Sequence, residues 1–192
     1  MSFFRWTAPI FKIAGRRWSE KDFQIIGSWL RPFLPAEGRM LDLAGGTGDL
    51  AVGLARTLGV EVVVLDATPQ MLRRVSAHPL VSVREGVAEA IPFPADHFDA
   101  LLCSDAFHHF KDQDVSVREM ARVVRPGGGV LVLEMNPTGV FSPIRPLERL
   151  LKEPASFMTP IELETYFAAR GIAGTSTAQR GFSYSFLGTV AA

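Results

Sequence analysis

The chain has 192 residues, 47% of them apolar, with 20 basic and 20 acidic side chains. These values predict one soluble globular domain with a sizeable core, and the balanced charge excludes a global electrostatic attraction to nucleic acid. The one cysteine, Cys103, excludes an intrachain disulfide and a cysteine-rich metal site and fits a reducing, cytoplasmic compartment, while no apolar stretch approaches the ~20 residues that span a bilayer.

The first predicted element is an amphipathic helix from Ser19 to Arg31. Ser19 and Asp22 have the spacing of a capping pair, and apolar residues recur along one face of the segment that follows. Before this helix, residues 2–18 combine aromatic with basic side chains. Basic residues interrupt that segment, so it lacks the apolar core of a signal peptide.

Apolar runs alternate with helical patterns from residue 40 to residue 135. Short continuous runs of apolar residues predict five buried strands, at 40–44, 60–66, 80–86, 98–104 and 129–135. Apolar residues at helical spacing between them predict helices at 50–58, 68–77 and 112–124. This alternation predicts a mostly parallel sheet with helices on both faces.

The C-terminal third has a different pattern. Residues 137–160 are rich in proline, with a short helix predicted at 146–152, and a second helix is predicted at 161–170 before Gly171. Residues 183–191 predict a last strand, antiparallel and at or near the edge of the sheet.

Polar and small residues follow the predicted strands. The loop 44–48 follows the first strand, Asp66 ends the second, residues 86–89 follow the third and residues 104–109 follow the fourth. In an open parallel sheet, ligands bind beyond the carboxyl ends of the strands, where the strand order reverses. We therefore expect these four segments to line one crevice.

The glycine loop and Asp66 fit two kinds of ligand. Glycines allow close approach of the backbone at a helix N-terminus, and the carboxylate of Asp66 suits a pair of ribose hydroxyls. Gly46, Gly48 and Ala51 even satisfy the dinucleotide pattern G-x-G-x-x-G/A, with Asp66 about 20 residues beyond the loop. Both a dinucleotide and S-adenosylmethionine remain compatible with these features.

Two observations favour S-adenosylmethionine over a nicotinamide cofactor. Asp42, inside the strand before the loop, would repel a pyrophosphate but favour the ammonium and sulfonium charges of S-adenosylmethionine. Hydride chemistry of the Tyr-x-x-x-Lys type is also missing, because Tyr166 and Tyr184 are followed four residues on by Arg170 and Gly188.

The chain resembles the class I S-adenosylmethionine-dependent methyltransferases. The stretch LDLAGGTGDLA is particularly similar to the ubiquinone/menaquinone C-methyltransferase branch, and the similarity continues in the family's order through VVVLDATPQML, AEAIPFPADHFDALLCS and MARVVRPGGGVLVLE. It covers residues 38–136. It implies a Rossmann-like α/β fold with a mostly parallel seven-stranded sheet flanked by helices on both faces, and S-adenosylmethionine as the cofactor.

The resemblance also implies roles for particular residues. The glycine loop would hold the methionine part of the cofactor, with Asp42 supporting its charge, and Asp66 would accept the ribose hydroxyls. Ala67 and Ala88 would lie beside the adenine, where Glu89 would substitute for the Asp or Asn that the family has at the position of Val87. Ser104 would flank the methyl group. The expected cofactor-binding residues are Asp42, Ala44, Gly45, Gly46, Thr47, Gly48, Asp66, Ala67, Ala88, Glu89 and Ser104.

His108 and His109 are the candidate catalytic residues, because imidazole titrates near neutral pH and an acidic hydroxyl or carbon acceptor needs a base. A histidine at this position can instead simply bond a backbone carbonyl. The quinone branch has Phe-Gly-x-Arg-Asn where this chain has residues 105–109, so the quinone substrate is not carried over. Two histidines alone do not make a metal site, and no metal is expected.

The predicted function is methyl transfer from S-adenosylmethionine to a small, apolar or aromatic acceptor. Quinone-ring C-methylation is the alternative within the class. An NAD(P)-dependent oxidoreductase and a non-catalytic cofactor-binding protein are the alternatives from other classes.

The resemblance divides the single domain into three parts: N-terminal lid helices (1–37), a cofactor-binding core (38–136) and a substrate-side segment with the final strands (137–192). The N-terminal segment is expected to close over the active site, with weak contact to a membrane surface as a second role. Phe141, Phe157 and Met158 would line an apolar acceptor pocket or pack against the sheet.

Overall fold

A computed structural model describes residues 18–137, 156–179 and 183–192. The segment 2–17 and the helix expected at 146–152 therefore lie outside the described residues. The described chain forms a seven-stranded sheet in the order β3-β2-β1-β4-β5-β7-β6. Its strands are β1 (Arg39–Leu43), β2 (Glu61–Asp66), β3 (Val81–Glu85), β4 (Phe98–Ser104), β5 (Val124–Met135), β6 (Ile172–Ala178) and β7 (Ser183–Val190).

The sheet is mostly parallel. Strands β1 to β5 pair in parallel, and β7 runs antiparallel between β5 and β6. The predicted fold class is confirmed, and the last strand is antiparallel and next to the edge, as expected. The chain builds the sheet outward from β1 to β3 and then crosses to β4 on the other side of β1. This reversal opens a crevice at the carboxyl ends of β1 and β4.

In the described ranges, five helices connect and cover the strands: α1 (Glu20–Leu30), α2 (Asp49–Leu58), α3 (Pro69–Leu72), α4 (Gln113–Val123) and α5 (Pro160–Ala168). Helix α1 begins with the capping box that the sequence predicts, since Ser19 N–H donates to Asp22 Oδ2 (2.9 Å) and Asp22 N–H donates to Ser19 Oγ (3.3 Å). Single 3₁₀ turns lie at Arg31–Phe33 and Phe107–His109.

Helix α3 is much shorter than the helix predicted for residues 68–77. After Leu72 the backbone turns through i to i−3 hydrogen bonds, from Arg74 N–H to Met71 O (2.9 Å) and from Val75 N–H to Leu72 O (3.2 Å). Pro79 lies a few residues further on and disfavours helix in the residue before it. The apolar residues of this segment are therefore presented by one short helix and a turn.

Two apolar clusters lie on opposite faces of the sheet. Side chains alternate along each strand, so Leu41 and Leu43 join the cluster that contains Phe107 and Phe167, while Met40 joins the cluster on the side of α1 and α2. Asp42 is two residues after Met40, so its side chain points to the same face of the sheet. The strand thus places a carboxyl group on the α1/α2 side of the sheet, at the crevice.

Candidate active site

The loop 44–48 joins β1 to α2 in a conformation that depends on small residues. Ala44, Gly46 and Gly48 all have positive φ, at 58°, 56° and 68°. A β-carbon on Gly46 would meet no atom within 4 Å, so this residue faces open space. A β-carbon on Gly45 would instead overlap the carboxyl group of Asp42. The loop therefore presents bare backbone to the crevice on one side and closes over Asp42 on the other.

Asp66 ties this loop to the end of β2. Gly46 N–H donates to its Oδ2 (2.9 Å), and Thr68 N–H donates to its Oδ1 (2.8 Å). The carboxylate is partly exposed, and each oxygen retains further acceptor capacity. Asp66 is thus fixed beside the glycine loop, as the prediction of a shared ligand site requires.

Asp42 is a buried carboxyl group with an unsatisfied oxygen. It is 2% exposed, and its Oδ2 makes no hydrogen bond within the described ranges 18–137, 156–179 and 183–192. Burial, reinforced by the negative charge of Asp66, raises the pKa of Asp42 from 3.8 to about 7. An unpaired acceptor at this depth favours a ligand that brings a positive charge or a donor.

A cleft of about 740 Å³ opens in front of these groups, within the ~300–1,000 Å³ range of small-molecule sites. Helix α1 forms part of one wall through Phe23, and Trp18 adjoins it. Ser104 and Asp105, at the end of β4, form part of the opposite wall. Six of the predicted site residues line the cleft: Asp42, Ala44, Gly45, Gly46, Thr47 and Ser104.

The residues expected near the adenine are placed differently. Ala67 is exposed directly after Asp66, whereas Ala88 is buried in the core, and its contact with adenine stays a prediction. Glu89 Oε1 accepts from Lys111 N–H (2.9 Å) and from Asp112 N–H (3.3 Å). These contacts give Glu89 a structural role before α4, and its contact with adenine stays a prediction.

The two histidines lie in the 3₁₀ turn after β4 and do not line the cleft. His108 is 4% exposed, its Nδ1 lies 2.7 Å from Glu134 Oε2, and its ring stacks on Phe157 with centroids 4.1 Å apart. His109 reaches the surface. Partial desolvation and the neighbouring His108 lower the pKa of His109 to about 4, so its ring is neutral at physiological pH.

The segment after residue 155 covers this turn. Ser156 N–H donates to His108 O (2.9 Å), and Met158 packs against the core. Of the aromatic and apolar residues expected to form an acceptor pocket, Phe157 and Met158 thus pack on the turn and the sheet, and Phe141 lies outside the described residues. Among the described residues, no group of three or more histidine, cysteine or acidic side chains has the arrangement of a metal site.

Glu134 is the feature that sequence analysis missed. It is 2% exposed on β5, and its Oε1 has no hydrogen-bond partner in the described chain. The sequence does contain an indication of it, because Glu134 is an acidic residue inside the apolar run 129–135, just as Asp42 is an acidic residue inside β1. Unlike Asp42, Glu134 has no glycine loop next to it that would mark a ligand site.

Comparisons with known proteins agree with this geometry. Residues 41–132 match the model of a family described as a methyltransferase domain. The ubiquinone/menaquinone biosynthesis C-methyltransferase of Proteus mirabilis (strain HI4320) is 38% identical over 128 residues, which cover 59% of this chain and 51% of that protein. The chain thus spans about half the length of the curated relatives it matches.

Solved structures share the fold. The YcgJ protein of Bacillus subtilis is 26% identical with a TM-score of 0.71 and covers 83% of this chain and 71% of its own. A methyltransferase complexed with the Haloferax volcanii Trm112 activator has a TM-score of 0.75 at 16% identity, covering 90% of this chain and 94% of its own. Residues 41–132 therefore match the methyltransferase domain family, and the chain is similar in sequence to the ubiquinone/menaquinone C-methyltransferases and in fold to solved methyltransferase structures.

Proposed function

We propose that this chain transfers a methyl group from S-adenosylmethionine to a small, apolar or aromatic acceptor. The observation that carries the proposal is the unsatisfied Oδ2 of buried Asp42 at the cleft. A cofactor with an ammonium and a sulfonium group would meet this oxygen with a positive charge. A nicotinamide dinucleotide would bring a pyrophosphate to the same loop, which the carboxylate would repel.

The residues that line the cleft, together with Asp66, Ala67 and Ala88 near it, fit the cofactor. The backbone at Ala44 to Gly48 would hold its methionine part, Asp66 its ribose hydroxyls, and Ala67 and the backbone of Ala88 its adenine. When bound, S-adenosylmethionine supplies a methyl group on a positively charged sulfur, which is activated toward a nucleophile. The chain's own contribution is positioning and the exclusion of water, with Ser104 and Asp105 bounding the space next to the cofactor site.

We propose His109 as the more accessible of the two candidate bases. It lies at the surface of the turn that follows β4, where a substrate can reach it. Its lowered pKa keeps the ring neutral at physiological pH and makes it a weaker base than a free imidazole. His108 is buried against Phe157 and bonded to Glu134, which supports a role in holding the turn. Replacing His109 by alanine should lower turnover about 10²–10⁴-fold if it acts as the base. Unchanged turnover in both His109→Ala and His108→Ala would remove acid–base work from this pair.

Quinone-ring C-methylation is a second candidate for the reaction. The sequence similarity to quinone-biosynthesis C-methyltransferases favours it. Residues 105–109 depart from the Phe-Gly-x-Arg-Asn of that branch, which favours a different acceptor. Formation of S-adenosylhomocysteine, followed with a demethylated quinol and with simple phenols and amines, would separate these acceptors.

A crystal structure with S-adenosylhomocysteine tests the proposed function. We expect its carboxylate and amine at the loop 44–48 near Asp42, and its ribose at Asp66. A ligand bound elsewhere, or a protein that binds it but forms no product with any acceptor, would favour a non-catalytic role.

We also propose that residues 1–192 act as one domain in the cytoplasm, with residues 1–37 as a lid that makes weak contact with a membrane surface. The packing of Trp18 and Phe23 at the cleft supports the lid. No described helix is long and apolar enough to cross a membrane. Comparing liposome binding of the full chain with a variant lacking residues 1–18 tests the contact, and equal binding would contradict it.

A further inference from the structure

A recess of about 60 Å³ lies beside the main cleft, between α1 and the ends of β5 and β7. It is lined by residues of α1, among them Ile25 and Trp29, and by Leu133, Glu134 and Tyr184 of β5 and β7. Trp18 and Asp105 line both this recess and the main cleft. A molecule lying next to the cofactor site can therefore extend one group into the recess.

Glu134 lines this recess and carries a hydrogen-bond acceptor that has no partner in the described chain. Its Oε2 lies 2.7 Å from His108 Nδ1, which fixes the carboxyl group, and its Oε1 makes no hydrogen bond within the described chain. The residue is 2% exposed, so leaving one of its carboxyl oxygens without a donor is unfavourable. A ligand that supplies the donor would remove this cost.

The neighbouring donors are committed elsewhere. Tyr184, opposite Glu134 in the β5–β7 register, donates its hydroxyl to Met158 O (2.9 Å). Burial, followed by the charge of Glu134, raises the pKa of Tyr184, so this hydroxyl stays protonated and bound there. Gln179 Nε2 donates to Ser185 Oγ (2.9 Å). Neither side chain meets Glu134 Oε1.

The charge around the recess also favours a donor. Its described lining contains three carboxyl groups, on Asp22, Asp105 and Glu134, and no lysine or arginine. Asp22 Oδ2 already accepts from Ser19 N–H (2.9 Å) and Ser19 Oγ–H (2.7 Å). The charged groups of the described lining are therefore all acidic, which favours a ligand that brings a donor.

We infer that the recess binds an O–H or N–H group of the methyl acceptor, with Glu134 Oε1 accepting its hydrogen bond. This inference rests on the proposed function only in calling the ligand the acceptor. The volume has room for about two water molecules, which suits one polar substituent and not a ring. Glu134 is thus the residue that selects acceptors by their donor group and orients the rest of the molecule toward the cofactor site.

Binding of matched probes tests the inference without turnover. The probes are phenol against anisole, and benzylamine against benzyltrimethylammonium, which keeps the charge but has no N–H. Each is titrated into the protein saturated with S-adenosylhomocysteine, and binding is followed by NMR shifts of backbone amides. We expect at least one donor probe to bind about tenfold more tightly than its donor-free partner, the factor expected for a hydrogen bond to a charged group. The pair that discriminates tells a hydroxyl from an amine.

Glu134→Leu should abolish this discrimination, and Glu134→Gln, which keeps the shape, should reduce it if the leucine variant does not fold. Glu85→Gln, at the exposed end of β3, is the matched control and should retain it. Equal binding within both pairs, no binding at millimolar concentration, or discrimination that survives in folded Glu134 variants would overturn the inference. Affinity for S-adenosylhomocysteine is measured separately, so failure of cofactor binding would count against the proposed function alone.

Discussion

Asp42 links the stability of this domain to pH and to its ligand. The folded state raises the pKa of this carboxyl group to about 7, against the ordinary value of 3.8 that it has in the unfolded chain. The folded state therefore holds the proton more tightly than the unfolded state, and the free energy of unfolding falls as pH rises from about 4 to about 7. Above pH 7 the carboxylate is ionised in both states, and its burial destabilises the folded state to the full extent. The domain thus keeps an unfavourable charge where a cationic ligand would offset it.

Asp42→Asn removes this charge with little change in shape. At pH 8 we expect the free energy of unfolding of the free protein to rise by roughly 2–4 kcal/mol, since each pKa unit corresponds to about 1.4 kcal/mol, and we expect little change at pH 4. Affinity for S-adenosylhomocysteine should fall about tenfold, because a charge-assisted contact to the amine is lost. Urea unfolding at the two pH values and calorimetry measure both effects. If the gain in stability of Asp42→Asn over the wild type were no larger at pH 8 than at pH 4, this description of Asp42 would be contradicted.

Ala44 adopts a left-handed conformation, with φ of 58°, that costs a residue with a β-carbon about 1–2 kcal/mol. Ala44→Gly relieves this strain but loses one methyl contact with the core and gains flexibility when unfolded. We expect a net gain of up to about 1 kcal/mol in thermal or urea unfolding. Ala55→Gly, inside α2, is the control and should lose about 1 kcal/mol or more. Equal losses in the two variants would show that Ala44 is not strained.

At the residue scale, the sequence predicts the carboxyl groups and glycines next to the glycine loop and misses the carboxyl group of Glu134. Asp42, Asp66 and the glycine loop were recognised because a carboxylate or a run of glycines is costly where they stand. The role of Glu134 is not predictable in this way, because it depends on a contact with His108, which is 26 positions away in the chain and lies next to it only in the folded protein. Glu89 was assigned to adenine, and its contacts with the backbone before α4 need the same three-dimensional information.

Among the elements, α1 matters most for the site because it forms part of a wall of the cleft. It packs on α2 where a β-carbon on Gly53 would overlap the ring of Phe23. Gly53 is therefore a contact surface for α1, although glycine inside a helix is unfavourable by about 1 kcal/mol relative to alanine. The position of Phe23 at the cleft depends on this contact.

Gly53→Ala should reverse the usual effect of helix propensity. In the wild-type background we expect a loss of about 1–2 kcal/mol in stability, because overpacking displaces Phe23, and weaker binding of S-adenosylhomocysteine. In a Phe23→Ala background the same change should gain about 1 kcal/mol, since only propensity remains. A double-mutant cycle in urea measures the difference. Additive effects would mean that α1 does not rest on Gly53.

Helices and strands with a clear hydrophobic pattern lie within a few residues of their predicted positions, whereas elements without such a pattern are not predicted. The five apolar strands, α4 and α5 follow the expected positions. Strand β6, the sequence IAGTSTA, carries no apolar run, because it is an edge strand that pairs with β7 alone and needs small residues, such as Gly174, which lies against Gly188. Strand β5 begins at Val124 and not at residue 129, since the turn after α4 forms a bulge in its pairing with β4.

On the scale of the whole molecule, the strand order determines where chemistry can take place. The strand order reverses between β1 and β4, and the loop 44–48, Asp42 and Ser104 lie together at that point. The sequence predicted this because alternating strands and helices leave few topologies. The acceptor side depends instead on α1, on the ends of β5 and β7 and on segments with little pattern, which is why the recess at Glu134 emerged from the structure alone.

Calorimetric titration of the full chain with S-adenosylhomocysteine, and separately with NAD⁺ and NADP⁺, tests the central claim most directly. A cleft built around Asp42, the glycine loop and Asp66 should bind one S-adenosylhomocysteine per chain with micromolar affinity and give no heat with either dinucleotide. Binding of a dinucleotide instead, or no binding of S-adenosylhomocysteine, would contradict it.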